Sequence, residues 1–509
     1  MKKLFVNVKT LVDREHITGV QRVNRDLTQA LMEISENHDI IPVTIEPDKI
    51  YEVKWNYPNE FKKGKVIDID EINNNFLLAL DIDNNLFFWL NALQINKMIF
   101  HNYDSIFIYF PQYFHFPLVI SNCVYYKHIL SLKSFIKFLC ISKFSCSMLA
   151  HFNSKITKNP NLLLNYYYLG FEGTKLELHP VLEDYFSKKY KKALSGKVNF
   201  LMVGTLEPRK GHYDIIKTFE ILWEKGYDVN LIIIGRKGWC IDWLEKYIKN
   251  HTQYKRKLFW FDSIDDYELA FFYKKADALI QASKVEGFGL PIIEASTYKI
   301  PIIARDIPVF REIGKNNILY FPNTKNYYEI SKFFENIINN LEKYKNYYIP
   351  ISKTKTFSWK NAAKRILDII ENEEWVHYSK FLNIKENIDF LESKQIFKPC
   401  EFFKKFLGDK KLALFGAGGF GKKIKYILNN LGIKVELFLD NDIKKHNTFI
   451  DGIPVIHPEK INMQKIKNNY KIIITSTWGD AIKEQLESYG FEELKDFIWH
   501  EIPNLEVNK

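Results

Sequence analysis

Short apolar runs alternate along this chain with longer stretches of helical period. Runs at 4–8 (LFVNV), 76–80 (FLLAL), 105–110 (SIFIYF) and 138–142 (FLCIS) form a first block. A second block holds runs at 198–204, 229–235, 278–283 and 300–304, and a third holds 411–416, 434–440 and 471–476. Runs of this length, rich in Val, Ile, Leu and Phe and spaced by helix-length segments, predict strands of parallel sheets covered on both faces. The fold class is therefore α/β, with three doubly wound, Rossmann-like units in series. The pattern divides the chain into 1–190, 191–372, a charged helix-compatible linker at 373–409, and 410–509.

Composition changes this picture little at first. The chain has 509 residues, 46% hydrophobic and 26% charged, which suits folded domains and excludes a mainly disordered, collagen-like or coiled-coil chain. Net charge is +11 and aromatics reach 16%. A basic, aromatic chain raises a nucleic-acid reading, but no helix-turn-helix, RNP or zinc signature supports it. Abundant Lys, Asn, Ile, Phe and Tyr also fit a biased codon supply. The excess charge has a place: residues 105–171 contain no Asp or Glu but include Lys127, Lys133, Lys137, Lys143, Lys155 and Lys158. Such a stretch is expected to attract an anionic membrane surface, the rival being a buried apolar segment with snorkelling lysines. The 5 cysteines form no C-x-x-C pair, so a reducing cytosol is expected and a zinc cluster is not. The opening MKKLFVNVK stops short of a signal peptide, and no apolar run reaches about 18 residues, the length a spanning helix needs.

Three glycine turns follow predicted strands, where open α/β sheets bind ligands and helix N-termini face anions. The first is Thr18-Gly19-Val20, with Arg22 and Arg25 on the helix behind it. The second is VGTLEPRKGH, which sets Arg209 and Lys210 beside Gly204 and Gly211. Two cations at a strand end suit a diphosphate whose charge grows as it departs. Downstream, KVEGFGLPIIEAS brackets Gly287, Phe288, Gly289 and Leu290 with Glu286 and Glu294. Pro291 predicts that a helix starts there, with the glycine loop at its entrance. The third is GAGGFG, with Gly416, Gly418 and Gly421 in G-x-G-x-x-G spacing and Asp440 ending the next strand. That constellation reads as a second nucleotide site or as a Rossmann turn kept without its ligand.

Residues 1–372 resemble glycosyltransferase family 4, retaining enzymes of the GT-B fold, in which two Rossmann-like domains face a cleft. VGTLEPRKGH, EGFGLPIIEAS with its E-x7-E spacing, and DIPVFREI carry the resemblance. TGVQRVNRDL is similar to a subgroup that builds O-antigen and capsular polysaccharides, often with mannose. The resemblance implies transfer of a sugar from a GDP-, UDP- or dTDP-linked donor to a glycan or lipid-linked glycan, with no metal or other cofactor required. It implies that Glu294 binds the donor ribose, and that Glu286 and the 287–290 backbone hold the sugar. Arg209 and Lys210 would stabilise the leaving diphosphate, and Gly19 and Gly204 would let backbone approach the donor.

Two departures matter. The position after Gly204 is Thr205, where many members carry Arg. No H-D or Y-D step is found in IYFPQYFHFPL, so His115 is the nearest acceptor-side catalytic candidate, with His101 and His128 behind it. The third block resembles the small Rossmann-like domain found ahead of the β-helix in sugar O-acyltransferases, without the hexapeptide repeats. A different class of reading makes the chain an NAD(P)- or nucleotide-sugar-binding enzyme acting through GAGGFG. No Tyr-x-x-x-Lys constellation beside that block supports it.

Overall fold

A computed structural model of the chain describes residues 3–12, 19–35, 39–56, 60–80, 86, 89–90, 92–132, 134–171, 178–239, 241–347, 357–394, 396–476 and 478–499. Thr18 and Lys133 lie outside these residues. The chain forms two compact units: Met1–Ser105 with Leu132–Phe390, and Ile106–Ser131 with Leu391–Lys509.

The first unit contains two sheets. One has nine strands in the order Val376–His377, Leu162–Tyr166, Ile136–Cys140, Met98–Asn102, Phe76–Ala79, Lys3–Asn7, Asp39–Ile45, Ile50–Asn56 and Glu60–Ile67. Its centre is parallel, and antiparallel pairs close both ends. The other has six parallel strands in the order Leu258–Phe261, Val229–Ile234, Val198–Val203, Ala278–Gln281, Ile302–Arg305 and Leu319–Phe321. The strand Val229–Ile234 is buried throughout, as an unbroken apolar run between two helical layers must be. Strand order reverses between Val198–Val203 and Ala278–Gln281, which makes their carboxyl ends the switch point of the sheet. Helix starts follow local chemistry: Asp265 caps Asp266–Lys275 in a capping box with Glu268, and Pro291 opens Leu290–Thr297.

The second unit holds a third sheet, ordered Thr448–Ile450, Ile453–Ile456, Val435–Leu439, Lys411–Phe415, Tyr470–Ile474 and Phe497–Ile498. Only its first pair is antiparallel. The helix Phe116–Leu130 belongs to this unit, with the Phe116 ring 5.0 Å from Phe402 and 5.6 Å from Phe403. The aromatic run 105–131 is therefore largely core, while Lys127, Lys143, Lys155 and Lys158 are exposed. Among the described residues no helix is long and apolar enough to cross a membrane.

One expected strand is corrected. SIFIYF does not pair in a sheet: Ile106–Tyr109 is a short helix, followed by a 3-10 turn at Pro111–Tyr113. The strand of that region lies earlier, at Met98–Asn102, and ends on two polar residues that broke its apolar signature. Between 373 and 409 the chain carries the edge strand Val376–His377 and the helices Lys385–Glu392 and Pro399–Leu407.

Candidate active site

The site gathers at the carboxyl ends of Val198–Val203 and Ala278–Gln281. After the first strand, Leu206 donates to the Arg236 carbonyl and accepts from Gly238 N–H, each at 2.9 Å, which fixes the turn. A 3-10 turn at Pro208–Lys210 follows, and Lys284 N–H donates to the Arg209 carbonyl at 2.8 Å. Gly211 then starts the helix His212–Glu224 with φ of 74°, and a Cβ there would stand 2.2 Å from the Ala282 carbonyl oxygen. Only glycine fits. Beneath the turn, buried Arg305 bonds Asp214 at 2.7 Å through Nη2 and the Ala282 carbonyl at 2.9 Å through Nε.

Arg209 and Lys210 converge on one carboxylate. Arg209 Nη1 donates to Glu286 Oε2 at 2.7 Å, and Lys210 Nζ donates to Glu286 Oε1 at 2.5 Å. Ser283 Oγ adds a bond to Oε1 at 2.8 Å. Burial alone would push the Glu286 pKa up, but the two cations hold it down at about 2. Burial alone would lower the Arg209 pKa; Glu286 and Glu207 outweigh it and raise it. A half-buried pair of fixed cations beside a glycine turn and a helix N-terminus can neutralise charge on a diphosphate. The glycine loop Gly287–Gly289 follows Glu286 directly and leads into Leu290–Thr297.

Glu294 sits on that helix, buried, with Oε2 accepting from Tyr273 Oη at 3.0 Å and Oε1 3.4 Å from Arg22 Nη1. Burial pushes its pKa up, against the pull of Arg22. Arg22 comes from the helix Gly19–Ile34 of the nine-stranded domain, so this contact joins the two domains of the first unit. Two further links do the same. Ser142 Oγ donates to the Gly287 carbonyl at 2.8 Å, joined by Ser145 Oγ at 3.3 Å. Glu312 accepts from Lys143 N–H at 2.7 Å and Phe144 N–H at 3.0 Å, capping the helix Lys143–Phe152 from across the cleft. A Cβ on Gly287 would meet the Tyr103 carbonyl oxygen at 2.6 Å and Asp104 Cβ at 3.0 Å. Phe288 is buried behind the loop.

The structure thus brings together Gly204, Arg209, Lys210, Glu286, Gly287, Phe288, Gly289, Leu290 and Glu294, with Gly19 opening the helix that carries Arg22. His115 belongs to the other unit. It precedes the helix Phe116–Leu130 in the second unit, its ring 5.5 Å from Trp499. His101 lies in the strand Met98–Asn102, fully buried, with Nε2 2.8 Å from Tyr167 Oη. Burial lowers its pKa to about 3, so it is neutral near pH 7. The residue sequence reasoning missed is Asp104, whose charge acts on Arg209. The signal was present: HNYDS contains a Y-D step directly after the strand Met98–Asn102, in place of the one sought after SIFIYF.

In the second unit, Gly416, Gly418 and Gly421 form the turn between Lys411–Phe415 and the helix Gly419–Asn430. A Cβ on Gly421 would stand 1.8 Å from the Gly416 carbonyl oxygen, so glycine here lets helix and strand meet. Asp440 turns inward: Oδ2 accepts from Ala417 N–H at 2.7 Å and pairs with Lys445 Nζ at 3.0 Å. Among the described residues no cluster of three or more His, Cys, Asp or Glu side chains is arranged to hold a metal ion.

Two facing Rossmann-like domains with this cation–carboxylate cluster at a switch point define the GT-B class of α/β protein. Residues 186–350 match the family Glycosyl transferases group 1. Residues 408–497 match the family described as C2185-like, N-terminal. The chain is similar to the serotype-specific mannosyltransferase WbdA of Escherichia coli, with 30% identity over 343 residues, covering 63% of this chain and 39% of that protein. It is also similar to the O-antigen chain mannosyltransferase RfbU of Salmonella typhimurium, 31% identical over 166 residues, covering 32% of this chain and 44% of that one. The chain therefore spans less than half the length of these curated relatives. Among solved structures, sucrose-phosphate synthase from Thermosynechococcus elongatus matches with a TM-score of 0.51 and 15% identity, over 73% of this chain and 99% of that one. That likeness is one of fold.

Proposed function

We propose that the chain is a retaining glycosyltransferase of cell-surface polysaccharide biosynthesis, moving a sugar from a nucleoside-diphosphate sugar to a glycan or lipid-linked glycan hydroxyl. The observation that carries this reading is the convergence of Arg209 and Lys210 on Glu286 at the switch point, inside the matched domain. In the reaction the bond between the anomeric carbon and the diphosphate oxygen breaks. The acceptor oxygen bonds that carbon on the same face, and the acceptor proton is released with the diphosphate. Arg209 and Lys210 take the charge that develops on the leaving group, already in place and needing no reorganisation. Glu286 accepts from sugar hydroxyls, the 287–290 backbone holds the sugar, and Glu294 accepts from the ribose. Gly19 and Gly204 give the donor close backbone approach. Asp104 is the first-domain carboxylate that lies beside the glycine loop.

The relatives' names point to mannose as the first sugar to assay. Incubation with GDP-, UDP- and dTDP-sugars, reading released nucleoside diphosphate, tests the proposal. Release that survives unchanged in Glu286→Ala and Arg209→Ala variants would sink it. The glycine turn of the second unit is the candidate for a second nucleotide site: Gly418 and Gly419 face open space, which supports it. A thermal-shift panel of NAD(H) against nucleotide sugars, run on a Glu294→Ala variant, separates the two sites. Peripheral attachment to an anionic membrane rests on the exposed lysines of 105–171 alone, and liposome sedimentation at low salt reads it.

A further inference from the structure

Glu207 is buried beside the site and takes no part in the chemistry described above. Its Oε2 lies 2.9 Å from Arg209 Nε, on the side of the guanidinium away from the Glu286 contact at Nη1. The contact is ionic and not a hydrogen bond: Glu207 Oε2 and Arg209 Nε are both buried without one. Glu207 follows an anchored turn, because the Leu206 backbone is bonded on both sides to residues 236–238. Glu286 is shared among Arg209, Lys210 and Ser283 and, on the reading above, turns part of its bonding to the donor sugar.

We infer that Glu207 is a positioning residue: it holds the Arg209 guanidinium by Nε while Glu286 exchanges its contacts with the donor, leaving Nη2 for the leaving diphosphate. Among the described residues Nη2 makes no hydrogen bond, whereas Nη1 is taken by Glu286 and the Val285 carbonyl. This inference rests on the donor reading of the site. It also opposes the simplest electrostatic expectation. A third carboxylate near Arg209, besides Glu286 and Asp104, repels an anion, so its neutralisation by Gln should tighten diphosphate binding if charge were its only effect. A positioning role gives the opposite sign, because a guanidinium free to rotate loses its fixed aim.

A double-mutant cycle decides between them. Binding of inorganic pyrophosphate, GDP and UDP is measured by calorimetry, and turnover by nucleoside diphosphate release at saturating donor. Glu207→Gln is expected to weaken binding and lower kcat about 10-fold, and to do so less than 2-fold when Arg209 is already Lys, which lacks the fork. Glu207→Asp, which keeps the charge but shortens the reach, should behave like Gln. Thermal melting confirms that each variant is folded. Tighter pyrophosphate binding in Glu207→Gln, an Asp variant at wild-type level, or equal losses in both Arg209 backgrounds overturns the inference alone. Wild-type protein that binds neither pyrophosphate nor any nucleoside diphosphate overturns the donor reading together with it.

Discussion

The turn at Gly204–Gly211 and the turn at Gly416–Gly421 are built from the same local parts, strand, glycines and helix, yet only the first gathers reactive groups. In the first, the neighbouring strand Ala278–Gln281 delivers Ser283 and Glu286 to the cations Arg209 and Lys210. In the second, the acid from the neighbouring strand folds back on its own loop, with Asp440 bonded to Ala417 N–H and Lys445. The lesson is that a glycine turn sets up backbone approach, while the residues at the end of the next strand determine whether a charge-handling site exists.

The strongest way to break the comparison is to remove what lies beneath the first turn. Arg305→Ala strips buried Asp214 of its 2.7 Å partner and leaves it Lys284 Nζ at 3.3 Å, and loss of one partner of a buried ion pair costs about 3–5 kcal/mol. Thermal unfolding should show the loss in a transition assigned to the 186–350 domain. Arg209→Ala should lower turnover by about 10²–10³-fold, the scale of losing one preorganised donor. Acid sharpens the contrast further. The Glu286 pKa lies below its ordinary value of 4.5, at about 2, so its contribution is complete above pH 4.5 and disappears as pH falls towards 2. Glu286→Gln should therefore flatten the loss of melting temperature over that interval. In the other turn, Asp440→Asn should cost about 1–2 kcal/mol through the Ala417 and Lys445 contacts, without altering transferase turnover. Smallest of all, Trp478→Ala, at a 77% exposed position, should stay within about 0.5 kcal/mol in urea titration.

Buried parallel strands were the most readable part of the chain. Covered on both faces, Val198–Val203, Val229–Ile234 and Lys411–Phe415 appear as apolar runs with edges accurate to a residue. Met98–Asn102 did not, because it ends on His101 and Asn102, both buried through partners distant in sequence. SIFIYF imitated the missing strand, and a short apolar run has no period long enough to distinguish helix from strand. That single misplacement moved the search for an H-D or Y-D step past Tyr103-Asp104 and onto the stretch that holds His115. The placement of Ile106–Ser131 in the second unit was beyond reach for a similar reason, since it depends on Phe116 finding Phe402 and Phe403 nearly three hundred residues later. Within the donor domain, the motifs carried both the residues and their order. The shared grip of Arg209 and Lys210 on one carboxylate needed coordinates, because spacing places residues on elements but does not pair their atoms.

The hydroxyl of Ser142 on the Gly287 carbonyl bears on how such enzymes can be recombined. The Gly287–Gly289 loop takes its shape partly from the other domain, as does the helix that Glu312 caps. A chimera that grafts this 186–350 segment onto a foreign first domain would import a loop and a carboxylate with no matching serine or helix end. On the proposed donor reading, donor preference is thus inherited as a pair of domains, and exchanging it requires transplanting Ser142, Ser145 and the start of their helix along with the glycines.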